Sequence, residues 1–214
     1  PPPPALTSAA YAAAVAEVRA LGSATSTTRT TEQTEIARFN TEPPPLFWSR
    51  NLRRFLMTER PLADHARLAA MLWVAQSDAV NTCFESKYHY NTWRPFSAIQ
   101  LADTDGNDAT VAEPAWTPVV PTPNHPEYPA AHSCAAAAVA AVLRAFYGTN
   151  EVRFEFDSTV TGSKRPFETT TAMVDEIALA RIAGGMHFRH ATEAGATLGE
   201  RVANRVLTQR FQAR

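Results

Sequence analysis

Five side chains in this sequence have the types and spacing of a site for a tetrahedral oxyanion. Lys87 and Arg94 stand seven residues apart in K-Y-H-Y-N-T-W-R-P, with Pro95 directly after the arginine. His132 lies in E-Y-P-A-A-H-S, residues 127–133, and Arg181 and His187 bound R-I-A-G-G-M-H. Lysine and arginine hold oxyanions through charge-assisted hydrogen bonds. Two imidazoles beside them can exchange protons with whatever is bound.

Each residue also has a plainer reading. Lys87 continues an apolar stripe of Leu68, Leu72, Ala75, Ala79 and Cys83 at spacings of three and four. A lysine snorkelling off a helix end would look the same, but the nearby Arg94 and the aromatics Tyr88, Tyr90 and Trp93 favour an anion site. His132 opens a helix expected over 133–147, where free N–H groups and the positive dipole end welcome an anion. A histidine that merely caps the helix is the alternative. Six residues of continuous helix would turn His187 away from Arg181. Gly184 and Gly185 break that regularity and can swing it back. His187, His190 and Glu193 suggest a divalent metal, but the spacing takes Glu193 off the shared face and no H-E-x-x-H is present. Asp103, Asp105 and Asn107 resemble a calcium loop that lacks its glycine and has Pro114 at the glutamate position. His65, His89 and His125 have no such company and read as surface or polar-core residues.

The elements that must position these groups are helices. Ser8 caps a helix over 9–21 that stops at Gly22. Thr30 with Gln33 forms a capping box for a helix to about Phe39. Prolines 43–45 break the chain before a helix over 46–57. The strongest helix starts at Pro61 and must end before Arg94, because Pro95 disfavours helical backbone there. A short helix runs from Pro95 to about Ala102, and 111–126 is a connection with five prolines. Helices follow over 133–147, 169–183 and 190–211. Residues 152–161 have strand character, with no partner evident. The expectation is an all-α helical bundle: an N-terminal segment, 1–60, packed on an oxyanion-binding bundle, 61–214, as one compact unit.

Hydrophobic residues make up 45% of the 214 and charged residues 19%, as in a chain that buries a core. The formal net charge of -1 argues against a nucleic-acid surface. Cys83 and Cys134 read as buried thiols, with a disulfide left open. No run of roughly 18 apolar residues spans a membrane. The sequence opens on a Pro-rich run in which no basic n-region is visible, and the expectation is a soluble protein, with secretion after processing and homo-oligomer formation both left open.

In order and spacing, Lys87…Arg94-Pro95, Pro129-Ala130-Ala131-His132 and Ala180-Arg181…His187 resemble the vanadium-dependent haloperoxidases and the type 2 phosphatidic acid phosphatase superfamily that shares their site. Those families carry K-x6-R-P, P-S-G-H and S-R-x5-H. A softer likeness begins at Thr27. The resemblance implies vanadate as cofactor, with phosphate able to occupy the same site. Lys87, Arg94, Arg181 and the N–H of Ala131 would hold its oxygens. His187 would be the axial ligand to vanadium, His132 the acid–base residue, and Lys87 the group that polarises peroxide. The partners implied are hydrogen peroxide, a halide and a small organic acceptor. The alternatives are a soluble acid phosphatase with His187 as nucleophile, and a non-catalytic oxyanion-binding homologue. Three positions depart from the pattern: Ala130 and Ala180 stand for serines, and Ala131 for glycine. Ala191 holds the place of the aspartate usual in the phosphatases. By this alignment position 130 faces the anion, so a serine there should strengthen binding.

Overall fold

The computed structural model describes residues 1–212. Eight α-helices and one small hairpin follow the order α1 (Ala9–Gly22), α2 (Thr31–Phe39), α3 (Pro44–Leu52), α4 (Leu62–Tyr90), α5 (Pro95–Gln100), α6 (Ala131–Tyr147), β1 (Phe154–Asp157), β2 (Lys164–Phe167), α7 (Thr170–Ala183) and α8 (Arg189–Arg210).

The helix boundaries follow local chemistry. The Ser8 side chain accepts from the Tyr11 N–H, and Thr30 with Gln33 makes the full capping box. Pro44 and Pro45 open α3 instead of breaking the chain before it. A first helical turn leaves its N–H groups unbonded, so prolines lose nothing there. A 3-10 turn, Arg53–Leu56, continues from α3. Asn91 ends α4 in the left-handed region at φ 46°, and Gly148 ends α6 at φ 72°. Helix α6 begins two residues before position 133, which puts His132 inside its first turn.

The hairpin corrects the expectation of an unpartnered strand. Phe154 pairs with Phe167 and Glu155 with Pro166, antiparallel. Pro166 hides the second strand from a sequence pattern. A two-stranded ribbon has only edges, where proline is tolerated.

Helix α6 is the centre of the bundle, and every residue from Ser133 to Leu143 is buried. Its alanines let neighbouring backbones come close. A Cβ on Gly199 of α8 would lie 2.0 Å from the Cys134 carbonyl oxygen, and one on Gly195 would lie 2.5 Å from that of Ala130. Cys83 and Cys134 are both buried and free.

Two further packings aim at one end of this bundle. Phe47 and Trp48 of α3 meet Phe156 edge-on at 5.6 and 5.9 Å. The Asn51 amide both donates to the Asp157 carbonyl and accepts from its N–H, each at 2.9 Å, and Arg50 pairs with Glu42 and Asp157. The start of α3 is thereby clamped in place. Helix α1 packs Tyr11, Val15 and Val18 against Ile99, Trp116, Ile182 and Phe188. Its last residue, Gly22, touches the turn after α7, where a Cβ would lie 2.4 Å from the Gly185 Cα. No helix among the described residues is long and apolar enough to cross a membrane.

Candidate oxyanion site

Lys87 occupies the last turn of α4 and is fully buried. Its Nζ donates to the carbonyls of Pro126 and Glu127 at 3.0 and 2.8 Å. Arg94 stands just before α5, extended at ψ 155° as the following proline requires. Its Nε donates to the His125 carbonyl and its Nη1 to the Met186 carbonyl, both at 2.8 Å. Nη1 also lies 2.9 Å from His187 Nε2, and Nη2 lies 3.0 Å from His125 Nδ1.

Arg181 is buried in the last turn of α7. Its Nη1 donates to the Asn40 carbonyl at 3.1 Å and its Nη2 meets only the Met186 sulfur, a weak acceptor. Its Nε is buried with no partner. After α7 the chain turns at Gly185, φ 77°, so that the N–H groups of Met186 and His187 both reach the Arg181 carbonyl, at 3.0 and 3.2 Å. The paired glycines therefore do return His187 to Arg181. A side chain at Gly185 would meet the Gly22 carbonyl oxygen at 2.7 Å and Pro118 at 2.8 Å.

The histidine's tautomer follows from its neighbours. Arg94 can only donate, so His187 Nε2 accepts and Nδ1 carries the hydrogen. Glu127 Oε1, 3.0 Å from Nδ1, takes that hydrogen and also accepts the Phe188 N–H at 2.9 Å.

These groups border a cavity of about 460 Å³. Arg94, Arg181, His125, His132 and His187 form its polar side, with Ala131 beside them, and Trp48, Trp73, Val80, Phe84 and Pro123 its apolar side. The start of α6 points into the same space without a side-chain cap on its N–H groups. Lys87 is not on the cavity lining. Its ammonium is bent onto backbone carbonyls behind the site.

The electrostatics are one-sided. None of the ion pairs among the described residues involves Lys87, Arg94 or Arg181. Burial, then the Arg94 charge, brings Lys87 down to about 8 and Arg181 to about 9, while burial lowers Arg94 to about 10. Burial and the surrounding cations hold His132 and His187 well below the usual imidazole range and push His125 down to about 4. Glu127, the one buried carboxylate here, is raised to about 7 by its burial. Every cation is thus displaced toward its neutral form, as expected of a pocket short of negative charge.

Four of the five residues singled out by spacing, Arg94, His132, Arg181 and His187, line one cavity, and Lys87 lies behind it. Two others escaped the sequence. His125 is more than a surface or polar-core residue: it touches Arg94, lines the cavity and packs on Phe84 at 5.0 Å. Glu127 stands beside a motif residue but belongs to no periodic element. Position 130 corrects the expectation that it faces the anion. Ala130 is buried against Tyr128 and Ala191, donates its N–H to the Ala191 carbonyl at 2.9 Å, and does not line the cavity. His190 stacks on Phe188 at 5.4 Å and Glu193 is exposed, and no group of three potential ligands is present among the described residues. The three do not converge on a metal site.

The family model for the VCPO second helical-bundle domain matches residues 67–213, a span that holds all five motif residues. The chain belongs to the vanadium-dependent haloperoxidase and type 2 phosphatidic acid phosphatase superfamily. A vanadium chloroperoxidase from Curvularia inaequalis is 30% identical over 124 residues, covering 49% of this chain and 20% of that protein. The crystal structure of the first bacterial vanadium-dependent iodoperoxidase superposes with a TM-score of 0.77 at 29% identity, over 98% of this chain and 52% of that one. A holo-type bacterial vanadium-dependent chloroperoxidase shares the fold, with a TM-score of 0.71 at 16% identity over 91% of this chain and 46% of that one. The chain spans about half the length of the structures it matches.

Proposed function

We propose that this chain is a soluble vanadium-dependent haloperoxidase, oxidising halide with hydrogen peroxide to hypohalous acid. One observation carries the reading: three buried cations converge with no carboxylate paired to any of them, and Arg181 keeps an unbonded Nε. Burying such charge unpaired is costly, and a tetrahedral oxyanion in the cavity relieves it. The residues fit vanadate. Arg94, Arg181 and the backbone N–H of Ala131 would hold its oxygens, Lys87 would add charge from behind, and His187 would offer its Nε2 lone pair to the metal once Arg94 Nη1 turns from that nitrogen to the anion. When bound, vanadate supplies Lewis-acid activation of peroxide toward halide.

The protein's own groups do the rest. Glu127 fixes the tautomer that puts the lone pair on Nε2, where Arg94 Nη1 now donates to it. His132, neutral at pH 7, takes a proton from the entering peroxide and returns it to the leaving oxygen. The apolar wall limits water around the charges, which strengthens their hold on the anion. Residues 1–60 act as the support, α1 bracing the Gly185 turn through Gly22 and α3 closing the cavity with Trp48, and 61–214 carry the chemistry.

Phosphoester hydrolysis through His187 is the second reading, and Glu127 favours it. The aspartate usual in the phosphatases is Ala191 here, but a carboxylate still reaches His187 Nδ1 from another segment. The deciding experiment loads metal-free protein with vanadate, then measures bromination with peroxide alongside hydrolysis of a phosphomonoester by vanadate-free protein. Vanadate-dependent bromination is expected. Hydrolysis alone moves the assignment to phosphatase, and neither activity leaves a non-catalytic oxyanion-binding protein.

A further inference from the structure

The apolar side of the cavity carries a polar group the oxyanion reading does not use. Gln76 of α4 is 7% exposed and lines the cavity, yet its Nε2 has no hydrogen-bond partner. It lies one turn after Trp73 and one turn before Val80, so it sits within the apolar stripe that α4 turns to the cavity. A buried donor left unbonded is unfavourable, and its surroundings say what would satisfy it. Trp48, Trp73 and Phe84 offer ring faces and edges. A volume of about 460 Å³ is far more than a phosphate-sized anion fills, and small-molecule pockets typically begin at about 300 Å³.

We propose that this chamber binds an aromatic molecule with an oxygen acceptor, of the phenol class, its ring against the tryptophans and its oxygen accepting from Gln76 Nε2. The binding stands on the chamber alone. The chemistry rests on the haloperoxidase reading: the bound ring, not free solution, receives the oxidised halogen. Overall, ArH + X⁻ + H₂O₂ + H⁺ gives ArX + 2 H₂O. The ring C–H breaks and C–X forms. Halide gives up two electrons and peroxide accepts them as its O–O bond breaks. The ring proton and the added proton leave in water.

The test is a calorimetric titration of phosphate-loaded protein with phenol and with toluene, which has the same ring and no acceptor. Phenol is expected to bind saturably and more tightly than toluene. Gln76→Leu, close in volume, should weaken phenol about tenfold and leave toluene unchanged, and Trp73→Ala should weaken both. Absent phenol binding, or equal affinity for the two ligands in the wild-type protein, overturns the chamber whatever the variants do. With vanadate, peroxide and bromide, the ortho-to-para ratio of bromophenol should differ from that of reagent hypobromite. An identical ratio overturns halogenation in place. Tight phenol binding without any bromination leaves the chamber standing and removes the haloperoxidase reading instead.

Discussion

One carboxylate oxygen ties Glu127 to His187: Oε1 is 3.0 Å from the imidazole Nδ1 and 2.9 Å from the N–H of the next residue, Phe188. The contact fixes both the ring plane and the tautomer, as partners of metal-ligating histidines do. In Glu127→Gln the shape is kept and the negative charge is lost. Vanadate, bonded through His187, should bind about tenfold more weakly. Phosphate, held by charge alone, should bind as well as before or better. Parallel titrations decide it, and equal losses for both anions would reduce Glu127 to a packing residue.

Lys87 sets the alkaline limit of anion binding. Its ammonium titrates near 8 in the free protein, and a bound anion favours the charged form. Phosphate affinity should hold up to about pH 8 and then fall by up to tenfold per pH unit. In Lys87→Met that Lys87-dependent fall should vanish and affinity below pH 8 should drop. Calorimetry across pH 7 to 10 checks both.

Which residues would meet was largely legible in the sequence. Motif spacing brought Lys87, Arg94, His132, Arg181 and His187 together, and proline and glycine marked the ends of α4, α6 and α7. What the chain hid lies in the proline-rich connection, where no periodicity says which way a side chain turns. His125 and Glu127 are aimed by Arg94 and His187, groups far away in sequence. The withdrawal of Lys87 behind the cavity depends on the carbonyls of Pro126 and Glu127, and spacing does not report backbone acceptors.

Acid should destabilise the anion-free protein. His125, His132 and His187 all have folded-state values below the ordinary imidazole value. The unfolded chain therefore binds more protons as pH falls below about 6.5, and stability falls with it. Glu127, raised to about 7, works oppositely between about 4.5 and 7, one group against these three and His190, which burial lowers to about 4. Thermal melts should show a lower midpoint at pH 5 than at pH 7. Phosphate at 100 times its Kd should restore about 2.7 kcal/mol. A midpoint indifferent to both pH and phosphate would contradict the charged cavity.

Ala130→Ser should not improve the site, although the family motif has serine there. The side chain is packed against Tyr128 and Ala191, so a hydroxyl is buried without a partner at a cost of about 1–3 kcal/mol. A lower melting temperature with unchanged vanadate affinity is expected. A several-fold gain in affinity would show that position 130 turns toward the anion.

The central claim, that three unpaired buried cations form a single oxyanion site, is tested most directly by competition calorimetry on metal-free protein. One vanadate should bind per chain, phosphate should displace it, and Arg181→Met should weaken both at least tenfold. Absence of saturable binding by either anion, or binding that appears only with a divalent cation, would contradict it.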